Sequence, residues 1–233
     1  MNKAKPWLAA GLFLLAALLF FRLYLKSTEE TSAALDSRQR ALLALGEHLA
    51  QKQFGSCALV LSNPFTQKPG QPKEIQKFEN AGIRGLEQGL PDATQIKIVF
   101  PKIKPEYQEN PPLAVIPQNI KTPLSFLIDA TSIDQIAASH TDCQLLVSLI
   151  GLPLGVEKLK IWQPQNPFQF ALLLPDLRII GTKAKAVEAF KHGKITAAVV
   201  TESESDEPLI IDAENVQDIL SSRPNLLGFR RSR

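Results

Sequence analysis

The stretch Cys57-Ala58-Leu59-Val60-Leu61 is a run of small and apolar residues without a charge. A run of this kind is typical of a short strand that is buried in a sheet. It is followed by a helical pattern over Glu74–Leu90 and by an alternating segment over Gln95–Phe100. The order strand, helix, strand predicts parallel strands that are connected by a helix.

The same alternation continues along the rest of the chain. We predict further strands over Leu124–Ile128, Gln144–Ile150, Phe168–Leu174, Arg178–Ile180, Ile195–Thr201 and Leu209–Ile211, and further helices over Thr131–His140, Lys185–His192 and Asn215–Leu220. In the helix Glu74–Leu90, the inward positions are predicted to be Ile75, Phe78, Ile83, Leu86 and Leu90. Residues 101–123 contain six prolines and are predicted to be irregular. The predicted fold class is α/β, with a mainly parallel sheet flanked by helices.

Before these elements, residues 7–25 are apolar except for Gly11 and Arg22. A helix needs about 20 such residues to cross a bilayer, so residues 1–26 are predicted to hold a single transmembrane anchor. A cleaved signal peptide is the alternative, but the segment 20–26 has no pair of small residues for cleavage. Basic residues are nearly balanced around the helix, and the short N-terminal tail favours a periplasmic C-terminal domain.

A second helix is predicted over residues 32–53, where Leu35, Leu42, Leu45 and Leu49 recur near the helical period. It is either a stalk or a helix packed on the domain. The predicted organisation is therefore an anchor in residues 1–26, a juxtamembrane helix in residues 27–55 and an extracytoplasmic α/β domain in residues 56–233.

Charge and residue usage exclude several classes of function. Four of the 26 basic residues precede Ser27, which leaves 22 basic against 23 acidic residues in the remainder. Scattered charges of this balance argue against a nucleic-acid surface. The three histidines and two cysteines have no metal-ligand spacing, and the familiar catalytic motifs are absent. We predict no metal, no cofactor and no enzymatic activity.

The two cysteines each lie at the start of a predicted strand, Cys57 at the first and Cys143 at the strand Gln144–Ile150. If these strands are parallel neighbours, the sulfurs lie at the same edge of the sheet and can oxidise outside the cytoplasm. Neighbouring strands in register are awkward for disulfide geometry, which favours two buried thiols over a bridge.

In parallel sheets, ligands bind at the carboxyl ends of the strands. Asp129 follows the predicted strand Leu124–Ile128, where a carboxylate can either cap the next helix or contact a ligand.

Three segments carry a further signal: Ala58–Phe65, with its Ser-Asn-Pro-Phe end, Ile180–Val200, and Leu209–Val216, with its Glu-Asn-Val turn. Together they resemble the sugar-type periplasmic binding proteins of ABC transporters. The resemblance implies that Asn63 and Phe65 form one wall of a ligand cleft and that Lys183 is a polar contact. Lys183 stands where the family usually carries an aspartate, and Thr66 where a second aromatic residue often follows. For Phe65 and Lys183 the alternatives are core packing and a solvated position at a helix start.

We therefore expect a membrane-anchored, extracytoplasmic and non-catalytic binding domain for a small polar ligand, with Asn63, Phe65, Asp129 and Lys183 as ligand-binding residues. The alternative is a membrane-anchored structural or protein-interaction module without a small-molecule cleft. In that case the juxtamembrane helix and the proline-rich segment 101–123 would contact a membrane or envelope protein.

Overall fold

The structure, a computed structural model, describes residues 31–52, 54–110, 113–202 and 206–230. It contains one six-stranded sheet in the order β2-β1-β3-β4-β5-β6. The strands are β1 Cys57–Leu61, β2 Gln95–Val99, β3 Leu145–Ser148, β4 Gln169–Leu173, β5 Ile195–Thr201 and β6 Pro208–Ile211. Strands β1 to β5 are parallel and β6 is antiparallel to β5. The predicted α/β class with a mainly parallel sheet is confirmed.

Helices cover both faces of the sheet. They are α1 at residues 31–50, α2 Lys73–Gly89, α3 Pro105–Gln108, α4 Leu124–Leu127, α5 Thr131–Ser139, α6 Lys183–Lys191 and α7 Val216–Ser222. Apolar residues of α1 and α2 pack with one face of the central strands, and those of α5, α6 and α7 pack with the other. Strand β1 lies between β2 and β3, so the chain first adds a strand on one side of β1 and then continues on the other side. In open α/β sheets, ligands bind in the crevice where the winding direction reverses in this way.

Helix α1 is packed on the domain, as one of the two sequence alternatives predicted. Leu42, Leu45 and Leu49 have no exposed surface, and each such burial contributes about 1.5–3 kcal/mol. The backbones of α1 and α2 touch, because a Cβ at Gly85 or Gly89 would overlap a carbonyl oxygen of α1. The division of the chain into three segments stays a prediction.

Two predicted strands are wrong. Leu124–Leu127 forms the short helix α4, and Leu177–Ile180 forms a 3-10 helix. Short apolar runs do not distinguish strand from helix, and here local contacts decide. Pro123 precedes α4 with a helical backbone, and the Asp176 side chain accepts a hydrogen bond from the Arg178 N–H at the start of the 3-10 helix.

One predicted inward position of α2 is also wrong. Phe78 is 38% exposed, whereas its neighbour Glu79 is only 6% exposed. Glu79 is four residues from both Ile75 and Ile83, so it shares their face of the helix. A carboxylate thus replaces the expected apolar residue on the buried face of α2.

Cys57 and Cys143 form a disulfide, which contradicts the interpretation as two free thiols. Ala58 pairs with Leu145. Continuing this register by one residue would place Gln144, and not Cys143, opposite Cys57. Cys143 lies one residue further, in the turn before β3, with its Cα 4.7 Å from that of Cys57. A Cα separation of this size lies within the range that a disulfide spans, so the neighbouring position of the two strands does not exclude the bridge.

The predicted transmembrane anchor in residues 1–26 lies outside the described residues. Within the described ranges, no helix has the length and apolar composition that crossing a bilayer requires.

Candidate functional site

A cavity of about 300 Å³ lies at the carboxyl ends of β1, β3 and β4, beside the point where the winding reverses. We call it the switch-point cavity. Its lining residues come from α1, α2, the strand ends and the segment before α4: Arg38, Asn63, Phe78, Glu79, Lys121, Thr122, Pro123, Leu124, Leu149, Ile150, Leu173 and Leu174. Mostly apolar walls with a few polar groups are typical of small-molecule sites.

A buried ion pair forms the polar wall of the switch-point cavity. The Arg38 guanidinium donates to the Glu79 carboxylate at 2.8 Å, and both side chains are 8% exposed. The other carboxylate oxygen accepts hydrogen bonds from the Ser62 hydroxyl at 2.7 Å and the Asn63 N–H at 3.4 Å. Glu79 thereby connects α1 and α2 to the end of β1.

Arg38 supplies a fixed positive charge to this wall. Burial lowers the pKa of its guanidinium, and the neighbouring Glu79 carboxylate acts in the opposite direction. The guanidinium also lies 4.5 Å from the ring centroid of Phe78. This cation–π contact explains why Phe78 stays at the cavity rim instead of entering the core.

Thr122 contributes a hydroxyl that is buried without a partner. The residue is 7% exposed, and its Oγ1 makes no hydrogen bond to any described residue. Buried polar atoms are nearly always paired, and leaving one unpaired costs about 1–3 kcal/mol. The Oγ1 itself has almost no accessible surface and the side chain packs close to Gly151, so a ligand in the cavity could bond this hydroxyl only after the Thr122 side chain rotates.

Leu174, which follows β4, borders the cavity with a strained backbone. Its φ is 43°, in the left-handed region that a leucine rarely adopts. The N–H of Leu174 donates to the carbonyl of Val199 at 2.8 Å, which holds this conformation in place. Strain of about 1–3 kcal/mol is more frequent at binding sites than elsewhere.

Of the four predicted ligand-binding residues, the cavity includes Asn63 and not the other three. The Asn63 Oδ1 accepts a hydrogen bond from the Phe65 N–H at 3.0 Å, and it thereby caps the 3-10 helix Pro64–Gln67. Phe65 is half-buried, with the Lys68 amine 5.0 Å from its ring centroid.

Asp129 and Lys183 lie at the starts of two helices. The Asp129 Oδ1 accepts hydrogen bonds from the N–H and the hydroxyl of Thr131, at 3.0 and 2.8 Å, so this carboxylate stabilises the start of α5. Lys183 is the first residue of α6 and is half-buried. Binding of a ligand by any of the four residues, including Asn63, stays a prediction.

The site residues that sequence reasoning missed are Arg38, Glu79, Lys121, Thr122 and Leu174. For Glu79 a signal existed, since a charged residue four positions from Ile75 and from Ile83 falls on the apolar face of α2. Leu174 directly follows β4, a position that the rule for parallel sheets covers. Arg38, Lys121 and Thr122 reach the cavity through contacts between distant segments, for which a single sequence carries no pattern.

One group of potential metal ligands occurs within the described ranges, formed by Cys57, Asp142 and Cys143. Its two sulfurs are bonded to each other, so neither is a thiolate that could bind a metal.

No protein-family model matches the chain, and no curated protein matches it. Among solved structures, it is similar to a carbohydrate transporter from Acidothermus cellulolyticus 11B in complex with myo-inositol, at 11% identity and a TM-score of 0.44, over 82% of this chain and 62% of that one. A periplasmic solute-binding protein from Actinobacillus succinogenes 130z with bound D-allose gives 12% identity and a TM-score of 0.43, over 78% and 62%.

A third similar structure is GanP, a glucose-galactose binding protein from Geobacillus stearothermophilus, at 15% identity and a TM-score of 0.43, over 76% of this chain and 61% of that one. The chain thus spans about 62% of the length of the first of these proteins. These are proteins of the kind that the sequence resemblance indicated, but similarity at this level establishes neither a family nor a ligand for this chain.

Proposed function

We propose that this chain is a membrane-anchored, extracytoplasmic domain that binds a small polar ligand in the switch-point cavity and does not catalyse a reaction. The observation that carries the proposal is the position of this cavity at the carboxyl ends of the parallel strands, with the unpartnered Thr122 hydroxyl and the Arg38–Glu79 pair beside it. A ligand with hydrogen-bonding atoms on one side and an apolar side facing Leu149 or Leu173 would fit this lining.

The state of Glu79 supports a binding role rather than a catalytic one. Both carboxylate oxygens already accept hydrogen bonds, one from Arg38 and the other from Ser62. Ser62 is itself 1% exposed, so its hydroxyl is not presented to a substrate. A general base must reach the proton that it removes. Because both oxygens of Glu79 are already engaged by protein groups, this carboxylate is not positioned to act as a base.

The disulfide supports the proposed extracytoplasmic location. Cys57 and Cys143 are bridged, and such bonds persist mainly in oxidising compartments such as the periplasm. The membrane anchor rests on the sequence of residues 7–25.

The proposal is tested by thermal unfolding of the full chain in a polyoxyethylene detergent, with panels of sugars, amino acids and nucleosides. A ligand that binds only the folded state at a hundred times its dissociation constant stabilises it by about 2.7 kcal/mol. The decisive variant is Thr122→Val, which removes the hydroxyl but keeps the shape of the side chain.

We expect Thr122→Val to unfold at the same or a higher temperature without ligand, because it removes an unpaired buried group. Its response to the ligand should be lost. Thr94→Val is the matched control, since Thr94 lies before β2 at the opposite edge and its hydroxyl bonds no described residue. A ligand response that survives in Thr122→Val would disprove the site.

One observation favours the alternative of a protein-interaction module. In the proline-rich segment, Leu113 and Val115 are 62% and 89% exposed. The apolar face of α1, by contrast, is already buried against the sheet, so this helix is not free to bind a partner. The interaction module would be supported by two results together. No compound in the panel would stabilise the cooperatively folded chain, and a protein that crosslinks to the parent chain would fail to crosslink to Val115→Ser.

A further inference from the structure

A second and larger cavity, of about 650 Å³, lies next to the switch-point cavity. Its lining residues are Asn119, Lys121, Arg178, Asn225, Gly228, Phe229 and Arg230. We call it the basic cavity because three of these residues are cations. Lys121 lines both cavities, and the remaining residues of the basic cavity do not line the other one.

The positive charge of the basic cavity is only partly neutralised. Among the described residues, Asp176 is the carboxylate paired with one of these cations, Arg178, and its side chain is fully buried behind it. Counted over the described residues, one carboxylate against three cations leaves a net charge of two on this wall. This concentration is local, because the chain after residue 26 has nearly equal numbers of acidic and basic residues.

Asp176 holds the wall of the basic cavity in place. Its oxygens accept hydrogen bonds from the Arg178 side chain at 2.9 and 2.6 Å and from the Lys121 N–H at 3.0 Å. Burial raises the pKa of Asp176, but these hydrogen bonds outweigh it and keep the pKa below its ordinary value. Gly228 packs against the same carboxylate so closely that a Cβ there would overlap Oδ1.

Several donors on this wall remain available. The Lys121 amine donates one bond, to the Leu226 carbonyl at 3.0 Å, and has two further N–H groups. Arg178 donates from Nε and one terminal nitrogen, and its other terminal nitrogen bonds no described residue. The side-chain amides of Asn119 and Asn225 likewise have no hydrogen-bond partner among the described residues.

The electrostatic setting of Lys121 favours a bound anion. Burial lowers the pKa of its amine and Arg178 lowers it further, while Asp176 raises it. An anion close to Lys121 would offset both the burial and the repulsion from Arg178.

We propose that the basic cavity binds a doubly charged oxyanion of the phosphate type, held between Lys121, Arg178 and Arg230. Two net positive charges match a phosphate monoester, and planar guanidinium groups bind phosphate oxygens in pairs. The site goes beyond the proposed ligand of the switch-point cavity and does not depend on it.

The phosphate could belong to a soluble metabolite or to a lipid headgroup. Helix α1 begins at the carboxyl edge, because its early residue Arg38 contacts Glu79 beside the end of β1, and it leads towards the start of β1 at the other edge. Residue 31, where the described part of α1 begins, therefore lies on the side of the basic cavity, and an anchor in residues 1–26 would allow a lipid source as well as a soluble one.

The test is calorimetric titration of the full chain in polyoxyethylene detergent with inorganic phosphate, against chloride at equal ionic strength. We expect binding that weakens by about tenfold or more in Arg230→Gln and in Lys121→Gln, as for loss of a charge-assisted contact. Arg84→Gln is the matched control, because Arg84 is an exposed residue on α2 that lines neither cavity.

Absence of phosphate binding, or equal affinity in all three variants, would overturn the proposal. Arg230→Gln should leave the ligand response of the switch-point cavity intact, while Thr122→Val should leave phosphate binding intact. Failure of one site is therefore distinguishable from failure of the other.

The source is distinguished in nanodiscs of phosphatidylcholine alone or with phosphatidic acid. If the cavity binds a lipid headgroup, phosphatidic acid would compete with inorganic phosphate. The apparent affinity for inorganic phosphate would then be lower in the discs that contain phosphatidic acid. Equal titration in both discs would assign the site to a soluble phosphate. Either result supports an oxyanion site, provided that Arg230→Gln weakens phosphate binding by about tenfold or more.

Discussion

The two edges of the parallel sheet differ in how their polar groups are paired. Where the strands begin, a disulfide and a buried lysine are fully engaged, and where the strands end, several polar groups have no partner among the described residues. At the first edge, the disulfide joins the start of β1 to the turn before β3. The buried Lys194 amine precedes β5 and donates to the carbonyls of Ile161, Asn166 and Phe168. At the second edge lie the Arg38–Glu79 pair, Thr122 and the basic cavity.

The difference lies in how polar groups are used at the two edges. Burial lowers the pKa of Lys194, but its three donors are directed at three carbonyls, so nothing remains for a ligand. At the carboxyl edge, by contrast, Thr122 and the cations of the basic cavity keep unused hydrogen-bonding capacity. Changes at the first edge should therefore affect stability, and changes at the second should affect binding as well.

The strongest test removes the disulfide. Cys57→Ala combined with Cys143→Ala should lower the free energy of unfolding by about 4 kcal/mol, because the bridge closes a long loop, with a sequence separation of 86. Urea denaturation of the full chain in detergent measures this loss. Ligand and phosphate binding should survive at temperatures where the variant is folded.

Reductant provides the control for this double variant. It should destabilise the parent protein by a similar amount and leave the variant unchanged. An unchanged free energy of unfolding in the variant would mean that the first edge does not depend on the bridge.

The ion pair at the carboxyl edge gives the next largest effect. Arg38→Met should lower the free energy of unfolding by about 3 kcal/mol, because it leaves Glu79 buried without its cation. Combining Arg38→Met with Glu79→Leu should recover much of the loss, since replacing both partners removes the unpaired charge. Ligand binding should remain impaired in both variants.

Recovery of stability without recovery of binding would sharpen the contrast between the edges. If the combined variant were less stable than Arg38→Met alone, the ion pair would itself stabilise the fold. The proposed difference between the two edges would then be wrong.

The smallest effect concerns His48, on the last part of α1, whose Nε2 lies 3.5 Å from an oxygen of Asp212. Burial lowers the pKa of His48, as does Lys52, while Asp212 and Glu214 raise it. A lowered folded pKa means that the unfolded chain binds the proton first. The contribution to stability is therefore complete above pH 6.5 and is lost as the pH falls through the folded pKa.

The wild-type free energy of unfolding should thus fall more steeply than that of His48→Asn as the pH decreases from 7.5 to 5. The difference in slope is at most about 1.4 kcal/mol per pH unit. Urea denaturation at a series of pH values measures both slopes. Parallel curves would show that His48 titrates alike in the folded and unfolded chains.

Much of the fold could be predicted because its signals are local. Strands β1 and β5 have the predicted bounds, since continuous apolar runs such as Cys57–Leu61 can only be buried. The prediction of a strand was wrong for Leu124–Leu127 and for Leu177–Ile180, because their apolar residues fit either a strand or a helical turn. Contacts outside each run, from Pro123 and Asp176, decided between the two.

The candidate site was predictable only in position. Asn63 follows β1 and lines the switch-point cavity, as the rule for parallel sheets predicts. Arg38 meets Glu79 across 41 residues of sequence, and Lys121 meets Asp176 across 55. A periodic sequence pattern does not predict contacts between residues that are so far apart in the chain. These charged residues could therefore be assigned to the site only from the folded structure.

The backbone contact between α1 and α2 also limits how far the domain can travel. Because Gly85 and Gly89 admit no gap between the two helices, α1 moves together with the sheet and cannot serve as a flexible stalk. If residues 1–26 form the predicted anchor, only the four residues 27–30 join it to this rigid body, and they can extend at most about 14 Å. The protein would then sample a thin layer beside the bilayer, and any macromolecule that contacts its carboxyl edge must present its surface within that layer.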